Sequence, residues 1–276
     1  MKFDIPKTPA VQVMGKSFRL AHVDPDDITP FVHSPDDKDE ASPRLLQLRE
    51  RLSQLQELLY AEQERDVLLI FQAMDTGGKD GAIKNLLTGV NPAGVRVTSF
   101  KAPSTGELSQ DFLWRIHAQI PKRGHIGVFN RSHYEDVLIT RVHGLIDEKT
   151  WKRRYEDINN FEELLTHNGT VVLKFFLHIS KKEQADRLQA RLDDPTKHWK
   201  FDPDDLKERK LWKAYQKAYE DAIRNCSPAH APWFVVPADQ KWARDLAITE
   251  IVVAALEAMN PQPPKADFDP KKIVIE

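Results

Sequence analysis

Five apolar runs recur along the chain, with amphipathic stretches between them. The run from Val67 to Phe71 has no polar interruption, as expected of a strand buried on both faces of a sheet. Val95–Phe100, His125–Phe129, Thr170–His178 and Trp233–Val236 read as four further strands. Between the runs, apolar residues fall at helical spacing. The stretch ending near Gln63 puts Leu45, Leu48, Leu52, Leu55, Leu58 and Leu59 on one face. Helices are also expected over Glu107–Gln119, Trp151–His167, Lys181–Leu192, Asp204–Asn225 and Trp242–Met259. Strands that alternate with helices predict an α/β fold, a mainly parallel five-stranded sheet covered on both faces. The order of the strands does not follow from the pattern.

Residues 1–43, rich in Pro and Asp (Ser34-Pro-Asp-Asp-Lys-Asp-Glu among them), are expected to form an irregular arm. Ser42 and Pro43 look like the N-cap and first position of the first helix. Residues 44–260 form one domain, and 261–276 a loosely held tail in which Ile273-Val-Ile could dock.

Composition narrows the class. The 276 residues are 41% hydrophobic and 30% charged, as in a soluble globular protein. A net charge of −2 argues against a nucleic-acid partner, so an anion site must come from local clustering. The single cysteine, Cys226, allows no internal disulfide and fits a reducing compartment. No apolar run approaches membrane-spanning length and the N-terminus has no signal-type stretch, so the expectation is a cytoplasmic protein without a membrane partner.

The chemistry begins where the first strand ends. From Ala73 to Gly78-Lys79 the spacing is that of a phosphate-binding loop, G-x-x-x-x-G-K-[ST], with two departures. Ala73 stands for the first glycine, and Asp80 for the hydroxyl that would hold magnesium. Strand, glycine-rich turn and helix in that order make an anion cradle. The backbone N–H groups around Gly77, Gly78 and Gly81 meet the phosphate, and Lys79 supplies charge.

Phosphoryl transfer further needs a divalent metal, carboxylates to hold it and cations to neutralise the moving group. Asp75 lies in the loop, and Asp136 follows a strand end. Arg131 and Arg141 offer guanidinium forks suited to phosphate oxygens. Asp80, Lys84, Lys101, Asn130 and Glu135 are further candidates for phosphate or nucleotide contact. The interruption at 193–203, bounded by Pro195 and Pro203, is the candidate lid (about 187–212), with Arg187, Arg191, Lys197 and Lys200 close by. Each has a plainer explanation. Asp75 could be a turn residue, Asp136 a first-turn acid of a helix, Arg131 a structural ion pair, and Trp212, Tyr215 and Tyr219 core packing. A nucleotide phosphate, with a second pKa of about 6, is already deprotonated at neutral pH. It needs alignment and charge neutralisation more than a base, which favours a phosphate acceptor over a hydroxyl.

The loop Ala73-Met-Asp-Thr-Gly-Gly-Lys-Asp-Gly81, followed by Phe129-Asn-Arg-Ser-His-Tyr-Glu-Asp-Val-Leu138, resembles the polyphosphate kinase 2 family, its class III members most. Arg191-Leu-Asp-Asp-Pro-Thr-Lys-His-Trp-Lys200 resembles the family's lid, and Ala231-Pro-Trp-Phe-Val-Val-Pro-Ala-Asp239 also fits. The resemblance covers roughly 40–260. It implies a three-layer, P-loop kinase-like fold with a helical lid. It implies transfer of the terminal phosphate between inorganic polyphosphate and AMP or ADP, and GMP or GDP. The cofactor implied is Mg2+, with Mn2+ as a substitute, and the assembly a homo-oligomer, dimer or tetramer. On this reading Lys79 and the loop amides hold phosphates. Asp75 and Asp136 hold the metal, Arg131 and Arg141 neutralise the transferred group, and Arg191 and Lys197 close over it. The alternatives are an ATP-dependent kinase of a small metabolite and a binding regulator without catalysis. Asp75 and Asp136 beside Lys79 argue against the second.

Overall fold

All eight residues of Asp66–Ala73 are buried, and the sheet is built outward from this strand. The computed structural model describes residues 3–13, 15–29, 31 and 37–275. Along the chain come β1 (Val11–Gln12), α1 (Asp37–Glu62), β2 (Asp66–Ala73), α2 (Lys79–Leu86), β3 (Val95–Ser99), α3 (Thr105–Leu108), α4 (Trp114–His117) and β4 (Ile126–Asn130). They are followed by α5 (Ile139–Val142), α6 (Glu148–His167), β5 (Thr170–His178), α7 (Lys181–Asp193), α8 (Asp205–Lys210), α9 (Trp212–Asn225), β6 (Trp233–Pro237) and α10 (Lys241–Met259). Short 3-10 turns lie at His133–Val137 and Pro195–Lys200.

The strand order is β1-β6-β5-β2-β4-β3. The five expected strands pair in parallel, with Leu69 of β2 opposite Val128 of β4 and Leu173 of β5. Alternate residues of β2 face opposite layers. Val67, Leu69 and Phe71 pack with α1, α2 and α10. Leu68 and Ile70 pack with α6 and α9. The result is three layers, α/β/α. β2 and β4 end side by side, so the segments after Ala73 and Asn130 leave the same sheet edge. Ligands of open α/β sheets bind at that edge.

Several expectations change. A sixth strand, β1, pairs antiparallel with β6 (Val11 opposite Val235), so the arm is not wholly irregular. Two residues carry no readable period, and the strand exists because β6 offers an open edge. The part of the arm at 34–36 lies outside the described residues. The first helix starts at Asp37, not after Ser42, and Pro43 lies inside it. Its buried Leu52, Leu55 and Leu59 hold it in the core against α10, and Arg44 and Arg51 pair with Glu250 and Glu257. The single helix expected over 107–119 is two short ones. Asp111 intervenes, its carboxylate accepting from Leu113 N at 2.9 Å, an Asx turn that competes with helix. The helix expected from Asp204 breaks at Leu211. Ile273, Val274 and Ile275 do not dock but are exposed.

Candidate active site

After Ala73 the chain makes a tight turn into α2. Left-handed backbone falls at Thr76 (φ 60°) and Gly78 (φ 92°). Ala73 is extended and opposite Leu177 of β5, so its position never needs a glycine. Gly77 is required for closeness, because a Cβ there would strike the Ala73 methyl and the Met74 carbonyl. At Gly78 a side chain would meet both the positive φ and the Arg244 guanidinium. Lys79 Nζ lies 3.3 Å from the Ala73 carbonyl, which also accepts from Tyr219 Oη at 2.9 Å. Burial, with Arg131 beside it, holds the Lys79 ammonium below its ordinary pKa, against the pull of Asp75, Glu135 and Asp80.

The loop floors a cleft of about 620 Å³. Lys79, Lys101, Arg131, Arg187, Arg191, Lys197, Lys200 and Lys241 line it, against Asp75, Asp80, Asp202 and Asp205. Among the described residues, Lys79, Lys101, Lys200 and Lys241 have no carboxylate within ion-pair distance. Arg131 enters directly from the end of β4 with a left-handed backbone (φ 63°), an uncommon state for a non-glycine residue. Its amide is tied to the Phe71 carbonyl at 3.0 Å, and its Nη2 reaches Asp75 Oδ1 at 3.2 Å. Burial opposes charge on this guanidinium, but Glu135 and Asp75 outweigh it and raise its pKa. Asp80, the second departure in the loop, accepts from Asn130 Nδ2 at 2.6 Å and so ties the start of α2 to the end of β4.

The far wall comes from the segment expected to form a lid. Arg187 of α7 donates to the carbonyls of Thr76 (3.3 Å) and Ala238 (2.6 Å) and pairs with Glu183. Arg191 donates to the Lys200 carbonyl at 2.9 Å and lies 3.4 Å from Asp205. Lys197 pairs with Asp194 at 2.7 Å. Burial and the neighbouring Asp75 push the Asp205 carboxyl up to about 6, with Arg191 opposing.

Asp75, Arg131, Asp202 and Asp205 also border a smaller recess, about 190 Å³, completed by Glu135, Tyr215 and Tyr219 among others. Asp136, the expected partner of Asp75, does not border either cavity with it. Glu135 borders the recess with Asp75, as do Asp202, Asp204, Asp205 and Glu208. Burial raises the Glu135 pKa, against Arg131 and Lys79. With its amide nitrogen turned toward it, Gln72 donates to Glu135 Oε1 at 3.0 Å. Asp136 lines neither cavity; its carbonyl and Oδ1 accept from Arg154 at 2.8 Å and 3.5 Å. The reason is the 3-10 turn. At three residues per turn, Ser132 and Glu135 stack on one side and Asp136 is rotated off it.

Arg141 is also outside both cavities. It pairs with Asp221 at 2.9 Å, donates to Tyr155 Oη at 3.2 Å and stacks over Trp151. Lys84, in the last turn of α2, does not line the cleft. The other candidates, Asp75, Gly77, Gly78, Lys79, Asp80, Gly81, Lys101, Asn130, Arg131, Arg191 and Lys197, come together there. Sequence reading passed over Lys241 and Asp205. Lys241 opens α10 just beyond the end of β6, at the edge that carries Lys79, and that placement was the available signal.

Known proteins match this chain over nearly its whole length. The model of the family described as polyphosphate kinase 2 matches residues 35–264. The AMP/ADP-polyphosphate phosphotransferase of Meiothermus ruber is 51% identical over 266 residues, covering 96% of this chain and 98% of the relative. The ADP-polyphosphate phosphotransferase of Rhodopseudomonas palustris is 46% identical over 286 residues, with the same coverage. The crystal structure of Polyphosphate Kinase 2 from Arthrobacter aurescens TC1 superimposes with a TM-score of 0.90 at 46% identity, covering 96% of this chain and 95% of that one.

Proposed function

The chain belongs to the polyphosphate kinase 2 family, and we propose that its cleft moves the terminal phosphate of inorganic polyphosphate onto AMP and ADP, reversibly. The observation that carries this is the cation-lined cleft of about 620 Å³ on the P-loop, in which four lysines have no acidic partner among the described residues. A polyanion supplies the missing charge.

Lys79 and the loop N–H groups hold phosphate oxygens where β2 ends. Arg131, aimed by the left-handed turn and braced by Asp75, presents its fork to the group in flight. The acceptor phosphate needs no base, and none of the cleft's groups has to act as one. Arg191 and Lys197, on the lid, cover the phosphates and keep water from competing.

The donor set also fits a divalent cation. Asp75 and Glu135 are hard oxygen donors bordering one recess, and Mg2+ is commonly held by one or two carboxylates together with substrate phosphates. Asp75 and Glu135 would hold the ion, which would supply positive charge against the phosphates. The proposal extends to a cytoplasmic homo-oligomer. Sedimentation velocity tests the assembly.

The functional test supplies polyphosphate and Mg2+ with AMP, ADP, GMP or GDP in turn and follows nucleotide products by chromatography. ADP and ATP from AMP, and ATP from ADP, are the expected products. No phosphorylated product from any of the four would sink the reading.

A further inference from the structure

Behind the Arg131 turn lies a second group of charges, outside both the cleft and the recess. Lys174 interrupts the apolar run of β5, and Glu162 faces it from α6; both are fully buried. Lys174 Nζ donates to Glu162, to Tyr134 Oη at 2.9 Å and to the Cys226 carbonyl at 2.8 Å, which satisfies all three ammonium protons. Glu162 Oε1 accepts from Tyr134 Oη at 2.9 Å and meets His133 Nε2 at 3.2 Å. The Tyr134 ring packs edge-on to Trp233, and the ammonium lies within 5.6 Å of both ring centres.

We propose that this buried network positions the segment from Arg131 to Glu135 for phosphoryl transfer, with Lys174, Glu162 and Tyr134 as positioning residues. The inference rests on the assignment of Arg131 to the transferred phosphate.

The argument is geometric. Arg131 borders the cleft just before a 3-10 turn and Glu135 borders the recess from within it, and such a turn is a short element with few hydrogen bonds of its own. A left-handed arginine persists only where its surroundings over-determine it. His133 and Tyr134, the two residues between Ser132 and Glu135, are both fully buried and both bonded to Glu162. Glu162 is fixed in turn by Lys174 on the central sheet. The turn is thus anchored to a rigid strand and a long helix through directional, charge-assisted bonds. An apolar core of equal volume would match the network in stability but would not set the turn's rotation.

The experiment is a double-mutant cycle between Glu162→Gln and Arg131→Ala, with Tyr134→Phe as a milder second variant. The readouts are kcat per polyphosphate-binding molecule, counted by calorimetric stoichiometry, and KM for ADP and polyphosphate. Glu162→Gln is expected to lower kcat about 10- to 100-fold, and Tyr134→Phe about 3- to 10-fold, with KM changed by less than about twofold. In the Arg131→Ala background each is expected to lower kcat further by less than about twofold, because the residue they position is gone. Wild-type kcat in both variants, or the same loss with and without Arg131, overturns the proposal. If Glu162→Gln does not fold, Tyr134→Phe decides by the same two criteria. Arg131→Ala with wild-type kcat would overturn both this inference and the role of Arg131. Wild-type enzyme that forms no nucleotide product would overturn the functional reading as well.

Discussion

Lys174 lies on β5 and Lys79 opens α2 just beyond β2 of the same sheet, and they differ in what their ammonium groups meet. Lys174 is enclosed by a carboxylate, a phenol and a carbonyl, each within hydrogen-bond distance. Lys79 meets one carbonyl at 3.3 Å, and burial, with Arg131 beside it, lowers its pKa. A cation whose donors are all satisfied is part of the framework. A cation whose donors point into a cleft, crowded by other cations, is held in readiness for an anion. A phosphate chain would meet the open donors of Lys79, whereas those of Lys174 are already taken.

Substitution of the two lysines tests this directly. Lys79→Met is expected to lower kcat/KM by about 10³-fold, with the urea midpoint unchanged or raised, because an unmatched charge is removed. Lys174→Met is expected to cost about 3–5 kcal/mol of stability, since Glu162 is left buried without its ammonium partner. Urea titration reads this. Replacing both partners, Lys174→Met with Glu162→Leu, should recover much of that loss but not the turnover. A Lys79→Met protein that unfolds more easily than wild type would collapse the distinction.

A second pair sharpens it at the level of neighbouring residues. Glu135 faces the recess beside Asp75, whereas Asp136 is tied to Arg154. Glu135→Gln is expected to lower kcat about 10²-fold, and Asp136→Asn to stay within a few-fold of wild type. Steady-state kinetics with ADP distinguishes them, and the reverse ranking would return the metal site to Asp136.

The smallest effect is in pH dependence, where cleft and core have opposite signs. Asp205 has its pKa raised from 3.8 to about 6, so the folded state binds its proton more tightly than the unfolded state does. Its contribution to stability is full below the unfolded value and is lost as pH rises through about 6. Glu162 is the reverse. Burial disfavours its charge, but Lys174 and His133 outweigh it and lower its pKa below 4.5. Its contribution is present above that value and lost on acidification. Asp205→Asn should therefore raise Tm, relative to wild type, more at pH 7 than at pH 4. Glu162→Gln should lower Tm more at pH 7 than at pH 4. Thermal melts across this range check both signs.

Much of this was legible in the residue order. Buried strands announce themselves as apolar runs, because a strand between two helical layers tolerates little else. All five were readable, and so was the anion loop, because strand, glycine turn and helix follow within one short segment. Periodicity did less well where elements are short. Asp111 divides a helix, and β1 spans two residues.

The site divides along the same line. Lys79, Asp75 and the glycines belong to one continuous stretch, so local order places them. Which carboxylate joins Asp75 depends on whether the turn after Arg131 winds at three residues per turn or 3.6, and that is set by groups far along the chain. Glu162 and Lys174 hold the turn from 28 and 40 residues beyond Tyr134. Nothing in the residue order near Arg131 shows that hold. A lysine inside an apolar strand was the one visible sign, and its meaning depended on the partners that folding brought to it.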